Sequence, residues 1–325
     1  MVRRYLLYVF VIALNCIVFL SEVKAQDPQF TQFYANPLYL NPALAGSARC
    51  PRLTMNYRNQ WPGLTGTFVT YAASYDQYVK AVDGGIGLQV LNDQAGEGTL
   101  STTRVSAQYA YQFNLSRSFA IRAGGEVCYF QRSLDWNKLT FGDMIDARKG
   151  FIYTTLDQPR GGRVAGVDFS AGIMGYSETV YFGVAAHHLT EPNESLIEGN
   201  SKLPVKITGH IGAKFNIKDS KYGSSSSSFV SPNILFQQQA DFKQLLFGLY
   251  MTKGPIVGGV WYRNKDAFVV LAGVQTPLLR VGYSYDVTVS RLTTKTAGSH
   301  EISLTMQFDC RPSKRKFRTI SCPSF

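Results

Sequence analysis

Apolar and polar residues alternate with a period of two along most of the chain beyond residue 50. The clearest stretch sets Val205, Ile207, Ile211, Ala213, Phe215 and Ile217 against Lys206, Thr208, His210, Lys214 and Asn216. Successive side chains of a β-strand point to opposite faces. The alternation therefore predicts strands with one apolar and one polar face.

Strand signals of this kind recur with turn residues between them. They predict fourteen strands, at residues 53–60, 67–80, 84–92, 98–114, 118–131, 163–177, 179–190, 205–218, 229–240, 243–253, 255–264, 266–276, 278–287 and 299–309. Single-chain outer-membrane barrels have an even number of antiparallel strands, as this count does. The fold class predicted is all-β, a transmembrane antiparallel β-barrel of about 14 strands over residues 51–310.

The first 25 residues have the features of a secretory signal peptide. Arg3 and Arg4 precede an apolar run, and Ala25 ends a segment with permitted cleavage residues. Beyond this leader no apolar run is long enough for a spanning helix, so a chain that enters a membrane must do so as a closed barrel. A secreted β-sandwich is the alternative, and the aromatic residues near strand ends favour the barrel.

Connection lengths predict the orientation of this barrel. Outer-membrane barrels have short periplasmic turns and longer outer loops. With a periplasmic N-terminus, the long stretches 132–162, 191–204 and 288–298 fall on outer connections. Both termini are then expected in the periplasm, and the basic tail at 311–325 with them. The exceptions are a short outer connection at 264–265 and a long inner one at 218–228.

Charge and candidate chemistry narrow the range of functions. The formal net charge is +11, with Lys and Arg dispersed along the strands of an exported chain, so anionic lipid or acidic protein is the expected contact and nucleic acid is not. His187 and His188 are adjacent and on a strand would face opposite sides, while Asp143 and Asp146 lack a metal-ligand pattern. We expect no catalytic, cofactor or metal site.

Polar strand residues are expected to line the barrel interior. The set is Arg122, Glu126, Asp168, Lys206, His210 and Lys214. Two interpretations remain open for them: a solvated, self-paired lumen, or a lining that holds a plug segment or a client protein.

Four cysteines follow the leader: Cys50, Cys128, Cys310 and Cys322. An exported protein is in a compartment that permits disulfides. Barrel closure pairs the first strand with the last, which brings Cys50 and Cys310 to the same end of one seam. A Cys50–Cys310 disulfide is therefore a candidate, and Cys310–Cys322 is its rival.

Residues 26–50 belong neither to the leader nor to the strands. The stretch at 26–47 reads QDPQFTQFYANPLYLNPALAGS, with three prolines and two Asn-Pro steps. Proline removes a backbone donor and biases the preceding residue away from helix, so we expect an extended, turning segment. Its apolar side chains must pack on something, because they are too many for a free tail.

This stretch resembles the start of mature PorP/SprF-family proteins, outer-membrane components of the type IX secretion and gliding machinery. The rest of the chain is similar in length and strand pattern, down to its ending at Cys322-Pro323-Ser324-Phe325. The resemblance implies a non-enzymatic barrel that works with periplasmic ring or motor-linked components. It also implies support for the export or surface anchoring of a secreted, adhesin-like client protein.

The stretch is also the predicted partner-binding site, emerging on the periplasmic side and packing into the barrel mouth or onto a partner subunit. The residues assigned to it are Phe30, Phe33, Tyr34, Asn36, Pro37, Leu38, Tyr39, Asn41 and Pro42. The alternative function is an outer-membrane porin or small-molecule transporter, which would have no need of such a segment.

Overall fold

The computed structural model describes residues 26–64, 66–96, 98–146, 148–155, 162–196, 200–217, 228–289 and 296–309. The expected signal peptide, the basic tail and Cys310 lie outside these residues. In the described part of the chain, no helix is long and apolar enough to cross a membrane.

Fourteen antiparallel strands form one closed barrel, as predicted. Their bounds are β1 Arg52–Gln60, β2 Phe68–Val79, β3 Gly84–Ala95, β4 Leu100–Asn114, β5 Phe119–Leu134, β6 Arg163–Ser177, β7 Val180–His187, β8 Lys206–Ala213 with its continuation Phe215–Ile217, β9 Ser228–Gln239, β10 Phe242–Lys253, β11 Ile256–Arg263, β12 Ala267–Gln275, β13 Leu279–Thr288 and β14 Ser299–Gln307. Each strand pairs with its sequence neighbours. The barrel closes where β1 pairs with β14, from Arg52 opposite Gln307 to Gln60 opposite Ser299.

The two ends of the barrel differ in their connections. We call the end where β1 begins the turn end, because its described connections are short, as at 115–118 and 178–179. The opposite end, the loop end, carries the long connections at 135–162 and 188–205. The first of these contains a small hairpin, Ile145–Asp146 with Gly150–Phe151, and the short 3-10 turns Trp136–Lys138 and Gly142–Met144.

The alternation along each strand separates the faces as predicted. Ile207 and Ile211 are 44% and 47% exposed on the outer wall, whereas Lys206 and His210 are 5% and 4% exposed and face the lumen. The same holds on β4, where Val105 is on the outer wall. An apolar outer wall around a polar interior is the arrangement that a bilayer requires of a barrel.

The stretch expected to be extended consists of short helical turns instead. Phe33–Ala35 and Pro42–Leu44 are 3-10 turns, and Pro37–Leu40 is one α-turn. The prolines are the first residues of the last two turns, where a missing N–H costs no hydrogen bond and the fixed φ favours helix. The Asn41 side chain accepts a hydrogen bond from the Ala43 N–H and caps its turn. Proline's bias against helix acts only on the asparagine before it.

Candidate functional site

Residues 26–47 lie inside the barrel lumen, and we call them the plug. Of the nine residues assigned to partner binding, Tyr39 is half-buried and eight are buried: Phe30, Phe33, Tyr34, Asn36, Pro37, Leu38, Asn41 and Pro42. Hydrogen bonds, ion pairs or ring contacts join the plug to strands β1–β11, β13 and β14. The plug therefore contacts the wall on all sides.

The plug runs through the lumen from the loop end to the turn end. Its Asp27 N–H donates to the Gln239 side chain at the loop end of β9, and its Gly46 N–H donates to Asp76 near the turn end of β2. The sequence predicted that the segment emerges on the periplasmic side and packs into the barrel mouth or onto a partner subunit. Its first residues have their charged partners at the loop end. Which end faces the periplasm stays a prediction.

Three cations from separate elements surround the Asp27 carboxylate. His188 Nε2 lies 2.7 Å from Asp27 Oδ2, Lys206 Nζ lies 3.4 Å from the same oxygen, and Arg104 Nη2 lies 3.4 Å from Oδ1. The Asp27 side chain is 5% exposed. Asp168 bonds the other His188 nitrogen at 2.6 Å, so the imidazole bridges two carboxylates.

The charges in this cluster decide the protonation of its members. Burial by itself raises the pKa of the Asp27 carboxyl, but His188, Arg104 and Lys206 together hold that pKa well below its usual range. Burial lowers the pKa of His188, and the carboxylates of Asp27 and Asp168 more than offset this and raise it. An imidazolium between two carboxylates donates from both nitrogens.

A second buried network holds Thr31. Its N–H donates to Glu301 at 2.7 Å, and its hydroxyl donates to Asp286 at 2.7 Å. Arg58 donates to Thr31, Asp286 and Glu301, and Arg263 donates to Thr31 and Asp286. All of these side chains are at most 5% exposed. Each charge is paired and hydrogen-bonded, as a buried charge must be.

From Phe33 onward, the plug packs against the wall through aromatic and aliphatic side chains. The Phe33 ring meets Trp261 edge-on with centroids 4.7 Å apart, and the Tyr34 ring meets Tyr181 edge-on at 5.9 Å. Leu40 and Leu44 continue the same apolar cluster. Edge-to-face pairs at these separations are favourable beyond the area they bury.

Polar wall residues bind the plug backbone further toward the turn end. Arg122 Nε donates to the Ala43 carbonyl at 2.8 Å, and its Nη2 donates to the Ala45 carbonyl. Gln108 donates to the Leu38 carbonyl at 3.1 Å. These bonds satisfy carbonyls that the short helical turns leave without internal partners.

Inward-facing glycines make room for this part of the plug. A Cβ on Gly124 would lie 2.6 Å from the Pro42 carbonyl carbon and from the Ala43 nitrogen, and one on Gly85 would overlap the Ala45 carbonyl. Strand glycines often mark sites where another backbone approaches closely. The plug backbone lies directly on the wall at these positions.

Five of the six lining residues predicted from the sequence hold or surround the plug: Arg122, Glu126, Asp168, Lys206 and His210. The sixth, Lys214, places its Nζ over the Phe229 ring, 4.1 Å from the centroid.

His187 and His188 were expected to face opposite sides of a strand and to have no site role, which is wrong for His188. It follows β7 with a φ of 60°, so strand alternation no longer applies, and both His187 and His188 are buried. Asp27 was also assigned no role, because its partners Arg104, His188 and Lys206 are remote from it in sequence.

The cysteines bear on the predicted seam disulfide. Cys50 is disulfide-bonded, and its candidate partner Cys310 lies outside the described residues. Cys128 is buried and free. The main chain of the seam extends past the strands, since the Phe308 N–H donates to the Pro51 carbonyl at 2.9 Å. The Cys50–Cys310 pairing stays a prediction.

Little space remains beside Asp27. A cavity of about 30 Å³, about the size of one water molecule, lies there. Its lining includes Asp27, Tyr39, Arg104, Glu126, His188 and Lys206.

The described residues contain no group of three or more His, Cys, Asp or Glu side chains that could hold a metal ion.

Solved structures of bacterial transporters and of an outer membrane protein are similar to this chain at low sequence identity. The toluene transporter TodX of P. putida is 10% identical, with a TM-score of 0.48 over 82% of this chain and 92% of that one. The toluene transporter TbuX of Ralstonia pickettii is 10% identical, with a TM-score of 0.45 over 84% and 93%. The Acinetobacter baumannii protein Omp33 is 8% identical, with a TM-score of 0.45 over 80% and 100%. These likenesses concern the fold alone.

No curated protein sequence matches the chain. A family model described as "Type IX secretion system membrane protein PorP/SprF" matches residues 22–306, which include the plug and all fourteen strands except the last residue of β14. The chain belongs to the PorP/SprF family of type IX secretion system membrane proteins.

Proposed function

We propose that this protein is a non-enzymatic outer-membrane component of the type IX apparatus that supports export or surface anchoring of a secreted client protein. In this proposal its lumen is closed at rest by its own plug. The supporting observation is the path of residues 27–47, which contact the wall from the loop end to the turn end. Membership of the family supports a role in the apparatus, and the plugged lumen supports the proposed mode of action.

A filled lumen argues against the alternative of a diffusion porin. Solutes would have to pass a segment whose aromatic and charged side chains are buried against the wall. Permeation would require the plug to leave or rearrange, which breaks two buried ionic networks. A gated component that opens when a client or partner protein acts on it fits this arrangement better than an open pore.

The predicted periplasmic partners, ring or motor-linked components, have two surfaces to bind in this proposal. With the long connections outside, as is usual for such barrels, the turn end faces the periplasm and presents the half-buried residues 48–51 and the short turns. The plug residues from Phe30 to Pro42 are available to a partner only after they leave the lumen. A partner that binds them therefore stabilises the open state.

The test replaces Phe33, Tyr34 and Tyr39 together with alanine. We expect the barrel to insert in the outer membrane, because its wall is unchanged, while client secretion and co-purification of periplasmic partners fall. The matched control replaces three aromatic residues of the lipid-facing wall, Tyr129, Phe169 and Phe247, which contact no plug residue named above. Unchanged secretion in the plug variant, with the control also unchanged, would refute the proposal.

A conductance measurement separates the porin alternative. Purified protein in planar bilayers should show closed channels in the wild type and frequent openings in the triple plug variant. Steady conductance of the wild-type protein, unchanged by the three substitutions, would favour the porin.

A further inference from the structure

Arg104, His188 and Lys206 form the cationic pocket around Asp27, and they belong to the wall and its loop-end connection. Arg104 lies on β4, His188 follows β7, and Lys206 begins β8. Their common carboxylate belongs to the plug. The carboxylate and its three cations are thus on two parts of the chain that can separate without unfolding the barrel.

The loss of Asp27 would affect the three cations unequally. Arg104 also pairs with Glu194 at 3.3 Å, and His188 also pairs with Asp168 at 2.6 Å. The Lys206 side chain is 6% exposed, and in the described part of the chain its one carboxylate within ion-pair distance is Asp27. Its other polar contact is the neutral Tyr39 hydroxyl at 3.2 Å. Lys206 is therefore the cation that loses its carboxylate when the plug leaves, and its positive charge is then available to another anion.

The geometry selects the class of anion. Both oxygens of the Asp27 carboxylate are in ion pairs. Arg104 pairs with Oδ1, and His188 and Lys206 pair with Oδ2. Asp168 and Glu194 share the same cations and reduce the positive charge of the pocket, which disfavours a dianion such as phosphate. A planar, singly charged carboxylate on a narrow chain fits these donors.

We propose that Arg104, His188 and Lys206 are a carboxylate-binding site, filled at rest by Asp27 and able to take the carboxylate of an incoming peptide in its place. The peptide group is an acidic side chain or a C-terminus. The site deepens the proposed export function and rests on it for the identity of the peptide as client. Asp27 then acts as an internal competitor that holds the first residues of the plug.

The first experiment uses purified full-length Asp27→Ala protein and formate as the probe. Formate should raise the melting temperature of this variant with saturation, whereas chloride at equal ionic strength should not. The wild type, whose site is filled, should show no saturable rise. The double variant Asp27→Ala with Lys206→Met should lose the formate effect. A folded Asp27→Ala protein that responds to formate no more than to chloride would overturn the proposal.

The second experiment keeps Asp27 and so does not depend on the folding of a variant that lacks it. Gln29→Cys, at a half-buried position two residues away, reports release of the plug through its rate of maleimide labelling. A peptide with an aspartate side chain, or one with a free C-terminus, should raise this rate several-fold, and which of them acts identifies the source of the carboxylate. Asparagine-containing, amidated peptides are the control. If neither carboxylate peptide raises the rate, displacement of Asp27 is refuted.

Both experiments use purified protein without client or apparatus. Their failure would leave the export proposal standing, because that proposal is tested by secretion and conductance. Loss of secretion in the aromatic plug variant, conversely, says nothing about carboxylate binding. The two proposals can therefore be rejected separately.

Discussion

The plug has two halves that are held by different forces. Residues 27–32 are held at the loop end by Asp27, Thr31 and Gln32, through ion pairs and hydrogen bonds to charged wall side chains. Residues 33–47 are held by ring packing, by Arg122 on backbone carbonyls and by close approach to glycines. One half is matched to the wall by charge and the other by shape.

This difference determines what can act on each half. Ion pairs can be exchanged for other ions or changed by protonation, so solution conditions and competing carboxylates act on residues 27–32. The close packing of residues 33–47 contains no ion that a solute could replace. An added methyl group on the wall would have to displace plug backbone. We expect the first half to be the controlled part of the plug and the second half to fix its position.

The largest effect is expected from Asp286→Ala, in the wall around the first half of the plug. The substitution removes the carboxylate that Arg58 and Arg263 share and leaves two buried guanidinium groups short of a partner. Breaking one side of a buried ion pair costs about 3–5 kcal/mol, and urea unfolding of the purified barrel measures it. Asp266→Ala is the control. It removes the 36%-exposed partner of Arg263, and we expect a change within about 1 kcal/mol. Equal effects would show that the network does not stabilise the fold.

Two equally buried threonines, one in the plug and one in the wall, allow the polar contacts of the plug to be compared with those of the wall. Thr31 and Thr54 are both 1% exposed, but the Thr31 hydroxyl bonds charged groups whereas the Thr54 hydroxyl has no partner in the described part of the chain. Thr31→Val should lower the free energy of unfolding by about 1.5–3 kcal/mol, and Thr54→Val should leave it nearly unchanged. The same urea titration compares them. A larger loss for Thr54→Val would contradict the assigned contacts.

In the second half, Gly124→Ala should destabilise by about 1–3 kcal/mol, the usual range for overpacking. The new methyl group would meet Pro42 and Ala43 backbone that cannot rotate away. Gly258→Ala is the control, since nothing lies within 4 Å of its added Cβ. Maleimide labelling of Gln29→Cys, which reports on the first half, should be only slightly faster when Gly124→Ala is added. Rapid labelling would mean that the two halves move as one unit.

The barrel itself could be predicted from the sequence, and the reason is physical. A wall between lipid and a polar interior imposes the period of two on every strand, as Ile207, Lys206, Ile211 and His210 show. The strand count and the parity of the long and short connections followed from that pattern. No comparable rule acts on the plug, whose environment is made by residues remote in sequence.

The path of the plug could not be predicted for the same reason. The partners of Thr31 lie 27 to 270 residues away, on strands that only barrel closure brings together. The approach of the plug backbone to Gly85 and Gly124 could not be predicted either, because a glycine in a strand does not show which backbone lies against it. The Asn-Pro steps were the one local signal for helical turns. The role of each proline as a first residue, and of Asn41 as a side-chain cap, was not predicted.

The smallest expected effect is a dependence of the first half on pH. His188 has a raised pKa because it lies between Asp27 and Asp168, with Arg104 and Lys206 also facing it. A raised pKa in the folded state means that His188 contributes stability fully below its unfolded pKa and loses it as the pH rises through the folded value. Labelling of Gln29→Cys, corrected for the thiolate fraction by a free peptide, should therefore accelerate over that range. In His188→Gln the corrected rate should be high and nearly flat. A wild-type rate that stays flat through this range would show that the imidazolium does not hold the plug.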